Sequence, residues 1–399
     1  MNNKPLVSLI IPVYNVAKFL HESLDSAVNQ TLKNIEIICV NDGSTDNSLE
    51  ILNEYAAKDS RVRVINKTVN GSAIMARKDG VMAVKGKFTM FMDADDYLQP
   101  NACETAYNLI VKNDVDILCF SFTIHEYDED GKISNISVHN QVFNEVVYGR
   151  DQIQKYFFVD KKVYIAYWNK IYKTELLKSA YSNMEDFCCS RIDDNYDDYY
   201  ISYYAKQMLG VLTEPLYIYY YGRGGCADSK ISLATFEKAC IITKGVSLIK
   251  KFLEREGTFK EQENILYAWE HHVIILGLCG SFYGKRVKEE DFDAATNMLC
   301  SYLNDLRDDK ITSFLLTQIR NHVDWNKNLA ASQIQIEEKD ARIKELQDWN
   351  AEQLKAKEWF LSQIANKDAR IAELQKNWSL ANKIRKAMKK ILSKIFKEK

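Results

Sequence analysis

Three carboxylates crowd the end of one apolar run: FMDADDYL, residues 91–98, carries Asp93, Asp95 and Asp96 between Met92 and Tyr97. At about 4 Å and an effective dielectric near 20, each pair of like charges repels by roughly 4 kcal/mol. Such a cluster calls for a positive partner. Further polar groups stand where neighbouring apolar runs end. IPVYN (11–15) supplies Pro12, Tyr14 and Asn15, VNDGSTD (40–46) supplies Asp42, NGSAIMARKDG (70–80) brings Arg77, and Ala94 sits within the acid triplet. Gly43 permits a tight turn, and Ser44, Thr45 or Asp46 can cap the helix that follows. A nucleoside diphosphate would satisfy these groups together. Asp42 can accept from a base N–H and Tyr14 can pack on the ring. A divalent cation can bridge diphosphate oxygens to the acids, since hard cations take oxygen ligands.

The elements that must position these groups follow from periodicity. LVSLIIPV, IEIICVN, VRVIN, KFTMFMD and VDILCFSF read as strands, and VAKFLHESLDSAVNQ, NSLEILNEYAAK, SAIMARKDGVMAV and the segment after Pro100 read as helices. This alternation predicts an α/β fold, a Rossmann-like, mainly parallel sheet with flanking helices. Ligands of such sheets bind at the carboxyl ends of the strands, where the acids fall. Residues 123–230 are mixed, with a hairpin-like stretch HEYDEDGKISNISVHN, and residues 231–328 are helical in period.

KDARIKELQ at 339–347 recurs as KDARIAELQ at 367–375, an offset of 28 or four heptads. Residues 329–378 therefore predict a coiled-coil-like helix and self-association, a homo-oligomer. One long solvated helix is the other arrangement the polar interruptions allow. Residues 379–399 carry a net +7 against −2 for the whole chain, with Leu380, Ile384, Met388, Ile391, Leu392, Ile395 and Phe396 near one helical face. A basic amphipathic helix of this kind suits an anionic membrane surface. Nucleic acid is disfavoured as a partner, because no reading motif accompanies the basic run.

Nine cysteines, an odd count with no CxxC pair, read as free thiols, and Cys188–Cys189 as packing. No apolar run approaches the ~20 residues that span a bilayer. With no signal peptide, the expected location is cytoplasmic, peripheral on the inner face of the cell membrane. His271 and His272 are adjacent, so they face different sides of a helix and make a poor metal pair. YGRGG (221–225) lacks the strand–GxGxxG–helix setting of a dinucleotide loop.

In order and spacing, VSLIIPVYNVAKFLHESLDSAVNQTLKNIEIICVNDGSTDNS, ARKDG and GKFTMFMDADDYL resemble the family 2 glycosyltransferases, inverting enzymes of GT-A fold that build bacterial cell-surface polysaccharide. The likeness covers most of residues 6–120 and continues more weakly through WNKIYKTELL (168–177) to EPLYIYYYG (214–222). Two departures are Lys78, where the family often has Asn, and Ser72, where it often has a second Gly. The resemblance implies a GT-A domain over 1–230, with a nucleotide-sugar half (1–122) and an acceptor half (123–230). It implies transfer from a nucleotide-diphosphate sugar, with a lean to UDP, to a hydroxyl of a glycan or lipid-linked acceptor. Asp95 would ligate Mn²⁺ or Mg²⁺, and Asp93 would hold the ribose or assist the metal. A general base must come later. IDDNYDDYYISYYAK fits the family spacing and gives Asp194 with Asp193 as orienting neighbour; MED (184–186) gives Asp186 as the alternative, and Asp197 and Asp198 remain further options. Trp168, Asn169 and Lys170 are acceptor-side candidates, with a core role for Trp168 equally open. Competing readings are a membrane-associated coiled-coil scaffold with an inactive transferase domain, and a sugar-phosphate nucleotidyltransferase. The latter lacks support, since PVYNVAKFL has no glycine where that class has a Gly-rich loop.

Overall fold

The first apolar run forms β1 (Val7–Val13), almost wholly buried, and its neighbour β2 (Ile35–Asp42) is buried along its whole length. Continuous rather than alternating apolar residues are what a strand covered on both faces requires. The computed structural model describes residues 4–304 except 129, 144, 190–191, 224–229, 275–276 and 279–286. The coiled-coil expectation for 329–378 and the basic tail at 379–399 lie outside the described residues.

Around these strands run α1 (Ala17–Val28), α2 (Ser48–Lys58), β3 (Val62–Lys67), α3 (Ser72–Ala83), β4 (Phe88–Phe91), β5 (Tyr97–Leu98), α4 (Ala102–Asn113) and β6 (Ile117–Cys119). Next come β7 (Phe122–Tyr127), β8 (Ile133–His139), β9 (Val147–Tyr148) and a short α5 (Arg150–Gln154) that continues as a π-helical turn over Lys155–Val159. Then follow β10 (Lys170–Lys173), α6 (Thr174–Asn183), α7 (Asp194–Tyr204), β11 (Gln207–Gly210) and β12 (Tyr217–Tyr221). Helices α8 (Leu233–Cys240), α9 (Thr243–Arg255), α10 (Phe259–Glu270) and α11 (Phe292–Asn304) complete the described chain.

The large sheet has the order β3-β2-β1-β4-β10-β6-β11-β9, and its β3-β2-β1-β4 half is parallel throughout. WNKIYKTELL contributes β10, which runs antiparallel between β4 and β6. VDILCFSF was expected as one strand and is two. It breaks at Phe120–Ser121, where Phe120 N–H donates to Asn169 O (3.1 Å) and Ser121 N–H to Thr213 Oγ1 (3.1 Å). Beyond the break, β7 enters a second sheet of order β5-β12-β7-β8. The hairpin-like stretch is indeed a hairpin, β7 against β8.

Helix α3 lies hard against β1, for a Cβ on Gly80 would stand 2.6 Å from Cγ2 of Ile10. That close approach sets the position of Arg77 on the same helix. The helices after residue 230 pack on the body: Trp269 Nε1–H donates to Asn195 O (2.8 Å), and Tyr203 and Thr258 share a hydroxyl hydrogen bond (2.9 Å).

Candidate active site

The three acids after Phe91 are not held by one cation. Asp96 turns inward, 1% exposed, where Tyr217 Oη–H donates to its Oδ2 (2.7 Å) and Tyr220 N–H to its Oδ1 (2.8 Å). The Tyr217 hydroxyl also accepts the N–H of Asp93 (3.0 Å), so one tyrosine of β12 bolts the whole turn. Asp93 Oδ1 accepts from Tyr167 Oη–H (2.8 Å). Burial, then the neighbouring charge of Asp95, push the Asp93 carboxyl up to about 7. Asp95 makes no ion pair among the described residues; burial raises its pKa, against the pull of Arg223. Arg223 itself is ion-paired with Glu22 of α1 and lies 4.7 Å over Phe19.

On one side of this turn opens a cavity of about 600 Å³ lined by Pro12, Tyr14, Asp42, Ser72, Asp93, Ala94 and Asp95. Asp42 holds its floor, accepting from Gly71 N–H (2.9 Å) and paired with Lys67 (2.6 Å). Tyr14, 48% exposed, stands free to pack on a planar ring. Of the residues expected here, Asn15 is a correction: it does not line the cavity. Its side-chain oxygen accepts from Thr45 N–H (2.8 Å) and Asp46 N–H (3.4 Å), clasping the loop after β1 to the loop after β2. Asp46 completes the clasp by accepting from Ala17 N–H at the start of α1 (3.0 Å) and Ser48 N–H (3.0 Å). Sequence reasoning missed the contribution of α8, whose Thr235 and Lys238 reach the same cavity; only an exposed lysine on an amphipathic helix could have hinted at it.

Ser72 has φ 78°, a left-handed conformation that explains why glycine is favoured at this position. Its hydroxyl is buried without a hydrogen-bond partner. Ser72→Gly is expected to stabilise the fold by about 1 kcal/mol, a gain of a few degrees in a thermal melt.

Arg77 is the other correction. It does not reach into this cavity but lies fully buried behind it. Its Nη2 donates to Asp193 (2.8 Å), its Nε to Asp197 (2.5 Å), and Nη1 stands 3.8 Å from Asp194. The guanidinium also lies 4.0 Å over the Tyr167 ring, the same tyrosine that holds Asp93. Arg77 is thus the hub that joins the acid turn to the start of α7. The approach to α7 is strained, since Ile192, β-branched, has φ 62°. Asp193 is committed to Arg77. Asp194 accepts no hydrogen bond from a described side chain, keeps 30% of its side chain exposed, and is held well above the carboxylate range by burial and then by Asp193. Asp186 sits on the surface, 73% exposed and paired with Lys78 (2.6 Å). Asp197 and Asp198 are buried.

Asp194 lines a second cavity, of about 670 Å³, with Tyr164, Trp168, Asp193, Tyr219 and His272. The two cavities share Ala73, Asp93 and Tyr167 as a common wall. Trp168 touches the second cavity, yet it is 3% exposed and its faces are taken by Tyr217 (4.6 Å, 12°) and Tyr219 (5.4 Å, 22°). Asn169 and Lys170 do not line it. Both are fully buried, and the Lys170 ammonium is tied to Tyr164 O (2.8 Å), Asn169 Oδ1 (2.9 Å) and Ala166 O. Burying a lysine demands such partners, which leaves none of its donors for a ligand.

Among the described residues no group of three or more His, Cys, Asp or Glu side chains could hold a metal by itself. Asp93 and Asp95 nevertheless fit a hard cation shared with a ligand, because small divalent ions bind through one or two carboxylates plus substrate phosphates. Two half-buried carboxylates facing one cavity, one of them in no ion pair among the described residues, are the donor set that chemistry uses.

Residues 8–191 match the family model described as glycosyl transferase family 2. Over this stretch, a little under half of its length, the chain is similar to that family. The glycosyltransferase GlyG of Streptococcus pneumoniae is 39% identical over 124 residues, 31% of this chain and 40% of GlyG. The poly(ribitol-phosphate) beta-glucosyltransferase of Bacillus spizizenii is 31% identical over 288 residues, 65% of this chain and 41% of that protein. The chain spans about half the length of the curated relatives it matches, from 25% to 60% for the first four. S. aureus TarS residues 1–349, crystallised with UDP-GlcNAc, has the same fold, with a TM-score of 0.54 at 21% identity over 74% of this chain and 80% of that one. The sheet with its flanking helices is therefore the GT-A arrangement expected of a family 2 domain. Among the described residues no helix is long and apolar enough to cross a membrane.

Proposed function

We propose that this protein is a metal-dependent inverting glycosyltransferase of cell-surface polysaccharide synthesis. It moves a sugar from a nucleotide-diphosphate donor, a UDP-sugar, to a hydroxyl of a glycan or lipid-linked acceptor. One observation carries this reading: the cavity with Asp42, Asp93 and Asp95 and the cavity with Asp194 meet at a shared wall. A donor in the first and an acceptor in the second would face each other across Asp93 and Tyr167.

Tyr14 and Asp42 would bind the base, with Pro12 and Ala94 shaping the cavity around the donor. Asp93 and Asp95 would hold Mn²⁺ or Mg²⁺, which when bound supplies positive charge to the departing diphosphate. Asp194 takes the proton of the acceptor hydroxyl. The acceptor oxygen then bonds to the anomeric carbon from the face opposite the diphosphate, whose C–O bond breaks with the electron pair leaving on the phosphate oxygen. Asp193, fixed by Arg77, would orient its neighbour. Tyr167 keeps the Asp93 carboxylate turned to the donor.

A panel of nucleotide sugars is expected to raise the melting temperature in the presence of Mn²⁺ for one base and not others. Asp95→Asn should lose the Mn²⁺-dependent part of that shift and the transfer activity with it. Stabilisation that is equal with and without metal, or unchanged in Asp95→Asn, would remove the metal from the proposal. The membrane side of the reading rests on residues 379–399. Sedimentation with anionic vesicles at low salt, lost when those residues are deleted, is the expected outcome; indifference to the deletion would leave a soluble acceptor.

A further inference from the structure

The cavity beside Asp194 is electrically lopsided. Asp93 stands on the wall it shares with the donor side and Asp193 and Asp194 also line it, while Lys161 and Lys162 stand on the same lining with no carboxylate partner among the described residues. A neutral acceptor would leave those two exposed ammonium groups without a counter-charge in the site. Their placement is built rather than incidental. Lys161 has φ 51°, and the backbone around it is pinned by Asp160 N–H to Lys155 O (2.8 Å) and Lys162 N–H to Tyr156 O (2.8 Å), closing the π-helical turn. The Lys162 ammonium rests 4.4 Å over the Tyr156 ring. A left-handed lysine is a costly conformation that persists where surrounding structure imposes it. Beside them, His272 lines the same cavity with its Nδ1 buried and without a hydrogen-bond partner. Burial, followed by the charge of Lys161, lowers the His272 pKa, so at neutral pH it is an uncharged donor or acceptor.

We infer that the acceptor is an anion: a polyol or glycan bearing a phosphodiester or carboxylate that Lys161, Lys162 and His272 bind while a neighbouring hydroxyl meets Asp194. This rests on the assignment of the Asp194 cavity to the acceptor. Lysine binds either anion as a point charge, so the two sources are separated by substrate rather than by geometry.

The test uses the full chain and three acceptor probes: a phosphodiester-linked alditol oligomer, a uronate-containing oligosaccharide and a neutral oligosaccharide. The wild-type protein is expected to favour one of the two anionic probes over the neutral one by at least tenfold in kcat/KM, with KM rising as salt screens the lysines. The paired substitutions Lys161→Gln and Lys162→Gln should collapse that preference at least tenfold, through KM rather than kcat, and Lys→Arg at both positions should restore most of it. UDP-dependent thermal stabilisation of the Gln variant confirms that it is folded and binds donor. Equal use of the neutral probe, or a preference that survives the Gln substitutions, overturns the anionic acceptor alone. Failure to transfer to any probe or to hydrolyse any donor overturns the transferase reading and this inference with it.

Discussion

Asp194→Asn is expected to lower kcat by 10²–10⁴-fold, the range a positioned general base contributes, while leaving UDP-dependent stabilisation intact. Asparagine keeps the shape and cannot take the proton. Asp194 is the carboxylate that faces the cavity without a hydrogen bond from a described side chain, whereas Asp193 is tied to Arg77 and Asp186 to Lys78. The same environment predicts a pH dependence. The Asp194 carboxyl is held well above its usual range, chiefly by burial, so its protonated form extends toward neutral pH. A base works ionised. The rate kcat/KM should therefore rise with pH through that raised pKa and level off above it, and the rising limb should vanish in the residual activity of Asp194→Asn. A rate with no rising limb, or a near-normal Asp194→Asn, would assign the proton transfer to another group.

Arg77→Met should destabilise the fold by about 3–5 kcal/mol, the cost of removing one partner from a buried ion pair. Arg77 is fully buried, with Asp197 at 2.5 Å and Asp193 at 2.8 Å, and methionine fills part of its volume without its charge. The sign of the accompanying pH effect follows from Asp197, which burial already raises to about 7 in spite of Arg77. Without Arg77 its folded pKa climbs further above that of the unfolded chain. The native variant then keeps a proton that the unfolded chain has lost, so its stability falls as pH rises, and the deficit against wild type widens above pH 7. Chemical denaturation at pH 6 and pH 8 measures it. A deficit that is equal at both values would mean Asp197 does not titrate there.

How much of this was legible beforehand depends on how far each contact reaches along the chain. The parallel strands, the acids at their ends and the hairpin follow from local patterning, because burial on both faces of a sheet leaves continuous apolar runs. Spacing also favoured Asp194 over Asp186 as the candidate base, and the structure puts Asp194 on a cavity and Asp186 on the surface. What was not readable is which of Asp93, Asp95 and Asp96 turns inward. That is decided by Tyr217, whose hydroxyl arrives from a strand more than a hundred residues later. Arg77 looked like a phosphate ligand because nothing local reveals that α7 will bring two acids onto it. Asn169 and Lys170 follow a tryptophan in a motif and so looked exposed to ligand, yet they stand at the start of an interior strand, β10, and are buried. The single strand expected over VDILCFSF is cut at Ser121 by a hydrogen bond from Thr213, again a distant partner.

The Tyr217 bolt has a consequence for synthesis of the chain. Until β12 has emerged and paired with β5, the acid turn lacks the hydroxyl that fixes Asp93 and withdraws Asp96. A nascent product ending before Tyr217 would hold all three acids without the hydroxyl that binds Asp93 N–H and Asp96. The geometry of the acid turn is therefore set by chain made more than a hundred residues after it, and is complete only once β12 is in place.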